Sequence, residues 1–319
     1  MQKMTTDEHF IPQFFIKHFY AKTTDISTNA VEGKVCCLRF DKEKPFNCLS
    51  DKICFEKYLY ETAFINEKVY SILVKNKKEL EAVENYFENK FHDIEGVAQK
   101  KFEKIFLLCD KSRHGYKVLS NRQIEFLTNY MILQLFRLPS LLIDGVLSYY
   151  NIICENNNTK YRINADAVVL MLHNVLNILL QEKSSAIESF AKTILKSHTV
   201  SMIKSNNNFS FFTSDMPVFL FGGLEKGDNV FEKCEIFFPL SPKYCLCFSN
   251  KNNSKHKLYH KKILQATEEM SDFYINVFID FVLPNETFIF SYAISNETII
   301  KLQEANYNGR YCCEINLKF

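Results

Sequence analysis

The sequence predicts an α+β fold in which the N-terminal two thirds are mainly helical. Apolar stripes with helical spacing fill residues 78–198, whereas short aromatic runs bounded by proline and glycine dominate residues 209–250. Helices followed by strands, without regular alternation, favour this class. We expect the helices to pack on a mixed or antiparallel sheet that the C-terminal third mostly contributes. We interpret residues 1–319 as a single domain.

Composition and charge narrow the class of protein. The chain is 47% hydrophobic and 24% charged, as in ordinary globular proteins, and its net charge of +2 creates no overall field towards nucleic acid or membrane. The longest apolar run, Val168 to Leu180, is too short to cross a bilayer, and the N-terminus has no apolar signal-peptide core. Eleven cysteines without a CxxC pair are typical of reduced thiols. We therefore predict a cytoplasmic protein that does not contact a membrane.

The N-terminal segment is predicted to contain short elements. Pro12 suits the first position of a helix that runs to about Tyr20. A histidine such as His9, just before a helix start, usually caps or packs, although acid–base work is an alternative. Residues 35–40 are predicted to form a strand, and residues 55–60 a second short helix.

The clearest helix is predicted to run from about Lys78 to Leu108. Its apolar residues recur at steps of three and four and form one stripe. We expect this stripe to pack on the C-terminal sheet. Its members are Leu80, Val83, Phe87, Phe91, Ile94, Ala98, Phe102 and Ile105.

A second face of this helix carries polar residues beside the stripe. Carboxylate and imidazole groups at steps of three and four can bind a divalent metal or act as a general acid–base pair. An ordinary solvated helix face is the alternative. The residues are Glu84, Glu88, His92 and Glu95.

The next helix is predicted to begin at the capping residue Ser120 and to end near Leu138, before Pro139. Gln134 and Arg137 share one face of this otherwise apolar helix. Because an unpaired buried charge is costly, the guanidinium must find a partner. Either it forms an internal ion pair with a helix glutamate or Asp215, or it clamps a phosphate.

Several further helices complete the helical part. We expect the chain to remain helical to about Cys154, with later helices at residues 164–181 and 184–198. His173 lies in an apolar run of the first of these and is interpreted as a core histidine. Towards the C-terminus we predict a helix near 266–281, a strand near 288–292, a helix near 296–305 and a last strand near 311–317.

The stretch after the helices holds three strand-like runs. Residues 209–214 alternate with a period of two, which suits a half-buried strand. This run ends in Ser214–Pro217 and the next in Pro239–Pro242, where proline stops a ladder or places it at a sheet edge. Ser214 and Asp215 are thus held at a strand end, a common position for functional groups. The alternative is that Asp215 only closes an Asx turn.

Five motifs in this order resemble those of domain-of-unknown-function family 4238. His9–Phe19 is similar to the H-x-x-P signature of the family, and Glu88 with Glu95 resembles its pair of glutamates seven residues apart. Gln134–Pro139 resembles its Q-x-x-R-x-P helix end. The strand motifs F-x-T-S-D-x-P-V and P-L-S-P match Phe212–Val218 and Phe238–Pro242. The resemblance implies a single-domain, intracellular, microbial or viral protein, and it implies no activity.

The motif residues are polar or ionisable and come from four segments, which favours a hydrolytic site. Glu88, Glu95 and Asp215 would bind a divalent metal such as Mg²⁺ or Mn²⁺, and would act in catalysis together with His9. Gln134, Arg137 and Ser214 would bind a phosphate-containing ligand or nucleic acid.

The leading hypothesis is therefore a metal-assisted phosphodiesterase or nuclease with a toxin-like or phage-defence role. The first alternative is a non-enzymatic binding or interaction module whose polar motif residues form a buried structural network. The second is a small-molecule or nucleotide sensor that uses Arg137 alone.

Overall fold

A five-stranded sheet with helices on both faces organises the protein. The structure is a computed structural model, and it describes residues 7–24, 30–38, 45–57, 59–60, 85–142, 146, 165–181, 185–222, 234–252, 256–282 and 289–291. Its main helices are α1 (Gln13–Lys17), α2 (Tyr86–Lys111), α3 (Asn121–Phe136), α4 (Ala165–Leu179), α5 (Ser185–Ser197) and α6 (Glu268–Val282).

The strands belong to three sheets of two, five and four strands. In chain order they are β1 (Asp7–His9), β2 (Val35–Leu38), β3 (Phe46–Cys48), β4 (Phe55–Lys57), β5 (His198–Lys204), β6 (Thr213–Ser214), β7 (Phe219–Phe221), β8 (Glu235–Ser241), β9 (Tyr244–Asn250), β10 (Ile263–Gln265) and β11 (Ile289–Ser291). The sheet orders are β1-β4, β10-β5-β9-β8-β7 and β3-β2-β11-β6. The fold is therefore α+β, as predicted.

The five-stranded sheet is mixed, because β10 runs parallel to β5 while its other pairs are antiparallel. Its strands all come from the region after residue 197. The four short strands β1 to β4, however, lie within the first 57 residues. The expected division into a helical N-terminal part and a C-terminal sheet thus holds only in part.

Alternation along the strands creates two apolar layers. Side chains on one face, such as Val200, Phe238 and Phe248, join a large cluster with α2, α3 and α5. Those on the other face, such as Phe219 and Phe237, join a smaller cluster with α6. Both faces of the sheet are consequently covered, the second one only in part.

The burial pattern of α2 and the capping residues of α3 explain why both helices could be predicted from the sequence. The predicted stripe of α2 is buried at Phe87, Phe91, Ala98, Phe102 and Ile105. Aromatic rings of α2 contact both α1 and α3. They also contact the sheet, because the Phe106 ring stacks on the Tyr244 ring at 5.5 Å between centroids. Ser120 accepts a hydrogen bond from the backbone of Gln123 and completes the capping box that begins α3.

Several predicted elements are wrong. Residues 55–57 form strand β4, not a helix, because Cys54 adopts a positive φ of 57° and β4 pairs with β1. Residues 211–214 are buried on both faces, and only Thr213–Ser214 form a strand. Strand β8 continues through Pro239, since its neighbour β7 pairs only as far as Phe237. Strand β5 was not predicted at all.

Some predictions fall outside the described residues. They are the start of the long helix at residues 78–84, most of the helical stretch up to residue 154, and the helix and strand after residue 295. The eight cysteines that the structure describes are free thiols. No helix within the described ranges has the length and apolar character needed to cross a membrane.

Candidate functional site

Arg137 occupies the centre of the candidate site, immediately after α3 ends at Phe136. Its side chain is only 2% exposed. Nη1 donates to Glu95 Oε1 at 2.6 Å, Nη2 donates to the carbonyl oxygen of His9 at 2.6 Å, and Nε donates to the hydroxyl oxygen of Tyr60 at 3.2 Å. These groups are called the Arg137 network below. It joins β1, α2, α3 and the chain around Tyr60.

Aromatic rings enclose the guanidinium. Its Cζ atom lies 4.0 Å from the Phe91 ring centroid and 5.7 Å from that of Tyr60, so the cation is attracted to both π faces. Burial opposes the charged form, yet Tyr60 and Glu95 together raise the pKa of Arg137 above its usual range. The arginine is thus a paired and enclosed cation, which is the internal ion pair that one interpretation of the sequence required.

Glu88 and Glu95 lie on the same side of α2, two turns apart, as their spacing predicted. Burial raises the pKa of Glu88, Arg137 opposes that shift, and Glu95 adds to it. The Glu88 carboxyl is therefore held towards its neutral form beside a charged pair. His92, by contrast, is exposed, and Glu84 lies outside the described residues.

His9 contributes to the site through its backbone and its ring. Its carbonyl is fixed by Arg137, while the ring lies 5.6 Å from that of Phe55. Burial lowers the pKa of His9, and a hydrogen bond to the Ser50 backbone works in the opposite direction. Within the described residues, the ring Nε2 is buried without a hydrogen-bond partner.

Two more side chains of α3 place unpaired polar atoms in the interior. Gln134 is 1% exposed and neither of its amide atoms has a partner among the described residues; the same is true of the Tyr130 hydroxyl. Burial raises the pKa of Tyr130 well above its usual range, Glu95 adds to this, and Arg137 opposes it. Because Tyr130, Gln134 and Arg137 are spaced by four and three, they share one face.

Sequence reasoning missed both tyrosines, although the spacing of Tyr130 could have revealed its place on the Gln134 face. It also missed Glu8, which is fully buried and accepts a hydrogen bond from the backbone nitrogen of Tyr60 at 2.5 Å. Nothing in the pattern around Tyr60 pointed to the site.

Ser214 and Asp215 form a separate part of the site. The Ser214 hydroxyl accepts from the backbone nitrogen of Met216 at 3.0 Å and donates to the Met216 carbonyl at 2.9 Å. Ser214, not Asp215, therefore closes the turn before Pro217. Asp215 adds to the raised pKa of the buried Cys54 thiol, so it lies near the start of β4. It does not hydrogen-bond to Arg137.

The structure thus brings His9, Glu88, Glu95, Gln134 and Arg137 to one corner, and it does not join Asp215 to the Arg137 network. No three His, Cys, Asp or Glu side chains within the described ranges are grouped to hold a metal ion. The metal site predicted at Glu88, Glu95 and Asp215 stays a prediction.

Comparison with known proteins identifies the family of the chain. No curated protein and no solved structure matches the chain. Residues 8–281 match the family model described as "Protein of unknown function (DUF4238)", a range that includes every residue of the candidate site. On this match, the chain belongs to the DUF4238 family.

Proposed function

We propose that the protein is a non-enzymatic binding module in which the polar motif residues form a buried structural network. The observation that carries this proposal is the enclosure of Arg137. All three guanidinium nitrogens donate to protein oxygens, and the side chain is 2% exposed. A phosphate clamp or an arginine-based sensor needs donors that can reach a ligand, so these two hypotheses fit the geometry less well.

The proposal gives the network a mechanical role. Arg137 ties the carbonyl of β1 to the carboxylate of α2 at the point where α3 ends. Removing one member of such a buried pair leaves the other without a partner, and this typically costs about 3–5 kcal/mol of folding free energy. The motif residues would then be needed for the scaffold on which a ligand site is built.

The test combines a cleavage assay with stability measurements. Purified wild type is incubated with RNA and with single- and double-stranded DNA in Mg²⁺ or Mn²⁺, and we expect no cleavage above a protein-free blank. Glu95→Gln should lower the free energy of unfolding by several kcal/mol, because it weakens the pair with Arg137. Glu88→Gln is the matched control on the same helix and should cost less, because its carboxyl is already held towards neutrality.

Cleavage by the wild type would overturn the proposal if Glu88→Gln abolished it while leaving the melting temperature unchanged. Binding of phosphate ions that Arg137→Lys abolishes would do the same. Destabilisation by Glu95→Gln without any wild-type cleavage is the result that supports a structural network.

A phosphodiesterase or nuclease, acting on nucleic acid in a toxin-like or phage-defence role, is the second candidate function. It is favoured by two groups of the site with shifted pKa values: burial lowers the pKa of His9, whose ring Nε2 has no hydrogen-bond partner among the described residues, and burial raises the pKa of Glu88. Groups with pKa values shifted in this way suit acid–base catalysis near neutral pH. Asp215→Asn distinguishes the two: it would abolish cleavage at constant stability if Asp215 is catalytic.

A further inference from the structure

The face of the five-stranded sheet that looks towards α6 is only partly covered. Helix α6 lies over the edge formed by β7 and β8, where Phe219 contacts Phe278 at 5.1 Å and Phe237 contacts Tyr274 at 6.2 Å between ring centroids. Over β5, β9 and β10 the helix leaves a half-open cavity of about 600 Å³. We call this cavity the sheet cleft. Its volume is in the range of small-molecule sites.

The walls of the sheet cleft are aromatic. Apolar bodies of ligands gain most of their binding free energy from such surfaces, and the π faces of the rings also attract cations. Two of the rings, Tyr259 and Phe273, are each 40% exposed, although the Phe273 ring also contacts that of Phe221 at 5.1 Å between centroids. The aromatic residues are Phe209, Phe211, Phe237, Tyr259, Phe273 and Tyr274.

The floor of the sheet cleft consists of small polar side chains on β5 and β9. Alternation of the strands points Thr199, Ser201, Cys247 and Ser249 to this face. Thr199 Oγ1 donates to the Ser249 carbonyl at 3.1 Å, and burial together with Glu235 raises the pKa of Cys247 to about 12. Cys247 is therefore a neutral thiol, so the floor offers hydrogen bonds and no reactive thiolate.

Two carboxylates line the sheet cleft. Glu235 and Glu269 belong to its lining, whereas no lysine or arginine does among the described residues. His114 also lines the cleft, and its Nδ1 accepts a hydrogen bond from the backbone nitrogen of Gln265 at 3.0 Å. The local field therefore favours a cation and opposes phosphates and carboxylates.

We propose that the sheet cleft binds a small organic cation, a protonated or quaternary amine with an apolar body. The aromatic walls would enclose the apolar body and face the cationic centre, and Glu235 and Glu269 would supply the opposite charge. This inference deepens the proposed binding role by giving it a ligand class, yet the cleft lies on the face of the sheet opposite the Arg137 network. The proposal of a ligand in the cleft can therefore fail while the proposed role of the Arg137 network holds, and the reverse is also possible.

The test uses benzyltrimethylammonium as the probe, with benzyl alcohol as a neutral comparison and benzylphosphonate as an anionic one. Binding is measured by isothermal titration calorimetry on the full chain. We expect saturable binding of the cation, at least about tenfold weaker binding of the neutral compound, and none of the anion. Chemical-shift changes should appear at Ser201 and Phe273.

Three variants assign the binding to the cleft. Phe273→Ala and Glu235→Gln should each weaken cation binding by about tenfold, whereas Tyr116→Ala, which removes an aromatic ring that is 63% exposed outside the cleft, should not change it. Because Glu235 Oε1 also accepts a hydrogen bond from the Asn250 backbone, Glu269→Gln provides a second test of charge at an exposed position.

Equal affinity for the cation and the neutral compound would overturn the proposal, and so would cation binding that Phe273→Ala leaves unchanged. Absence of saturable binding by all three probes would overturn it as well. Nucleic-acid cleavage by the same samples would refute the proposed non-enzymatic role without affecting these results, so the two failures are distinguishable.

Discussion

The two faces of the five-stranded sheet are made by the same strands but are closed to different degrees. On the helical face, Phe238 stacks on Phe15 at 5.5 Å, and the large cluster continues to the buried Arg137 network. On the other face, α6 covers only one edge, and a cavity of about 600 Å³ lies over the remaining strands. One face is filled by packed side chains, whereas the other leaves room for a ligand.

The family motifs lie outside the sheet cleft, although Phe212, which begins one strand motif, packs on Phe278 of α6. None of the residues that line the sheet cleft belongs to the five motifs, whereas Gln134 and Arg137 lie in the interior of the helical side and Glu95 is partly buried beside Arg137. A buried ion pair adds little net stability. Removing either member is nevertheless costly, because the other member is left buried without a partner. We infer that the motifs specify the scaffold and that ligand selectivity is encoded outside them.

The largest expected effect tests whether the helical face is closed. Arg137→Met should lower the free energy of unfolding by about 3–5 kcal/mol, because it leaves the Glu95 carboxylate and the His9 carbonyl without their donor. Urea denaturation followed by circular dichroism measures this change. Arg122→Met, at an exposed position in the first turn of α3, is the control and should stay within about 0.5 kcal/mol. A cost below about 1 kcal/mol for Arg137→Met would mean that the network contributes little to the fold.

The second prediction concerns the apolar part of the same face. Phe87 is fully buried at the start of α2, and its ring lies 4.9 Å from that of His173. Phe87→Ala should cost about 3 kcal/mol through lost burial and a residual cavity. Leu107→Ala removes an apolar side chain that is 59% exposed on the same helix and should change stability by less than about 1 kcal/mol. Similar costs for both variants in urea melts would show that the stripe of α2 is not core.

The third prediction uses pH. Burial among aromatic rings lowers the pKa of His18 to about 4, although its Nδ1 contacts the Leu240 carbonyl at 3.2 Å and Glu103 raises the pKa slightly. The folded pKa lies below the unfolded value of about 6.5, so the unfolded chain binds more protons between pH 6.5 and 4. Stability due to His18 should therefore be lost as the pH falls through this window, by about 3 kcal/mol in total.

His18→Gln isolates that contribution, because the variant keeps a neutral donor and the other titrating groups. The difference in unfolding free energy between wild type and His18→Gln should change between pH 7 and pH 4.5 in favour of the variant. A difference that stays constant across this range would show that His18 is not enclosed on the helical face.

The helical face was also the part that the sequence predicted best. The α2 stripe has a strong period, and the capping box at Ser120 is a local signal. The pairing of Arg137 with a helix glutamate could be expected, because a buried guanidinium in an apolar helix requires a partner. Only the choice of Glu95 over Asp215 needed the structure, since it depends on how segments far apart in the chain meet.

The other elements could not be read from local patterns. Strands β1 and β4 have three residues each and exist through their mutual pairing across more than 40 residues. Strand β5 begins at His198, directly after α5 ends at Ser197, so no turn residue marks the point where the helix gives way to the strand. The sheet cleft depends on where α6 stops covering the sheet, and no single segment of the sequence carries that information.

The smallest expected effects compare one serine from each environment. Ser214→Ala should cost about 1–2 kcal/mol, because its fully buried hydroxyl makes two hydrogen bonds to the Met216 backbone that alanine cannot replace. Ser201→Ala should change stability by less than about 0.5 kcal/mol, since this hydroxyl lines the open sheet cleft and water can fill the space that it leaves. Paired urea melts measure both changes. A cost at Ser201 as large as that at Ser214 would mean that the cleft is closed in solution, and the contrast between the two faces of the sheet would then be lost.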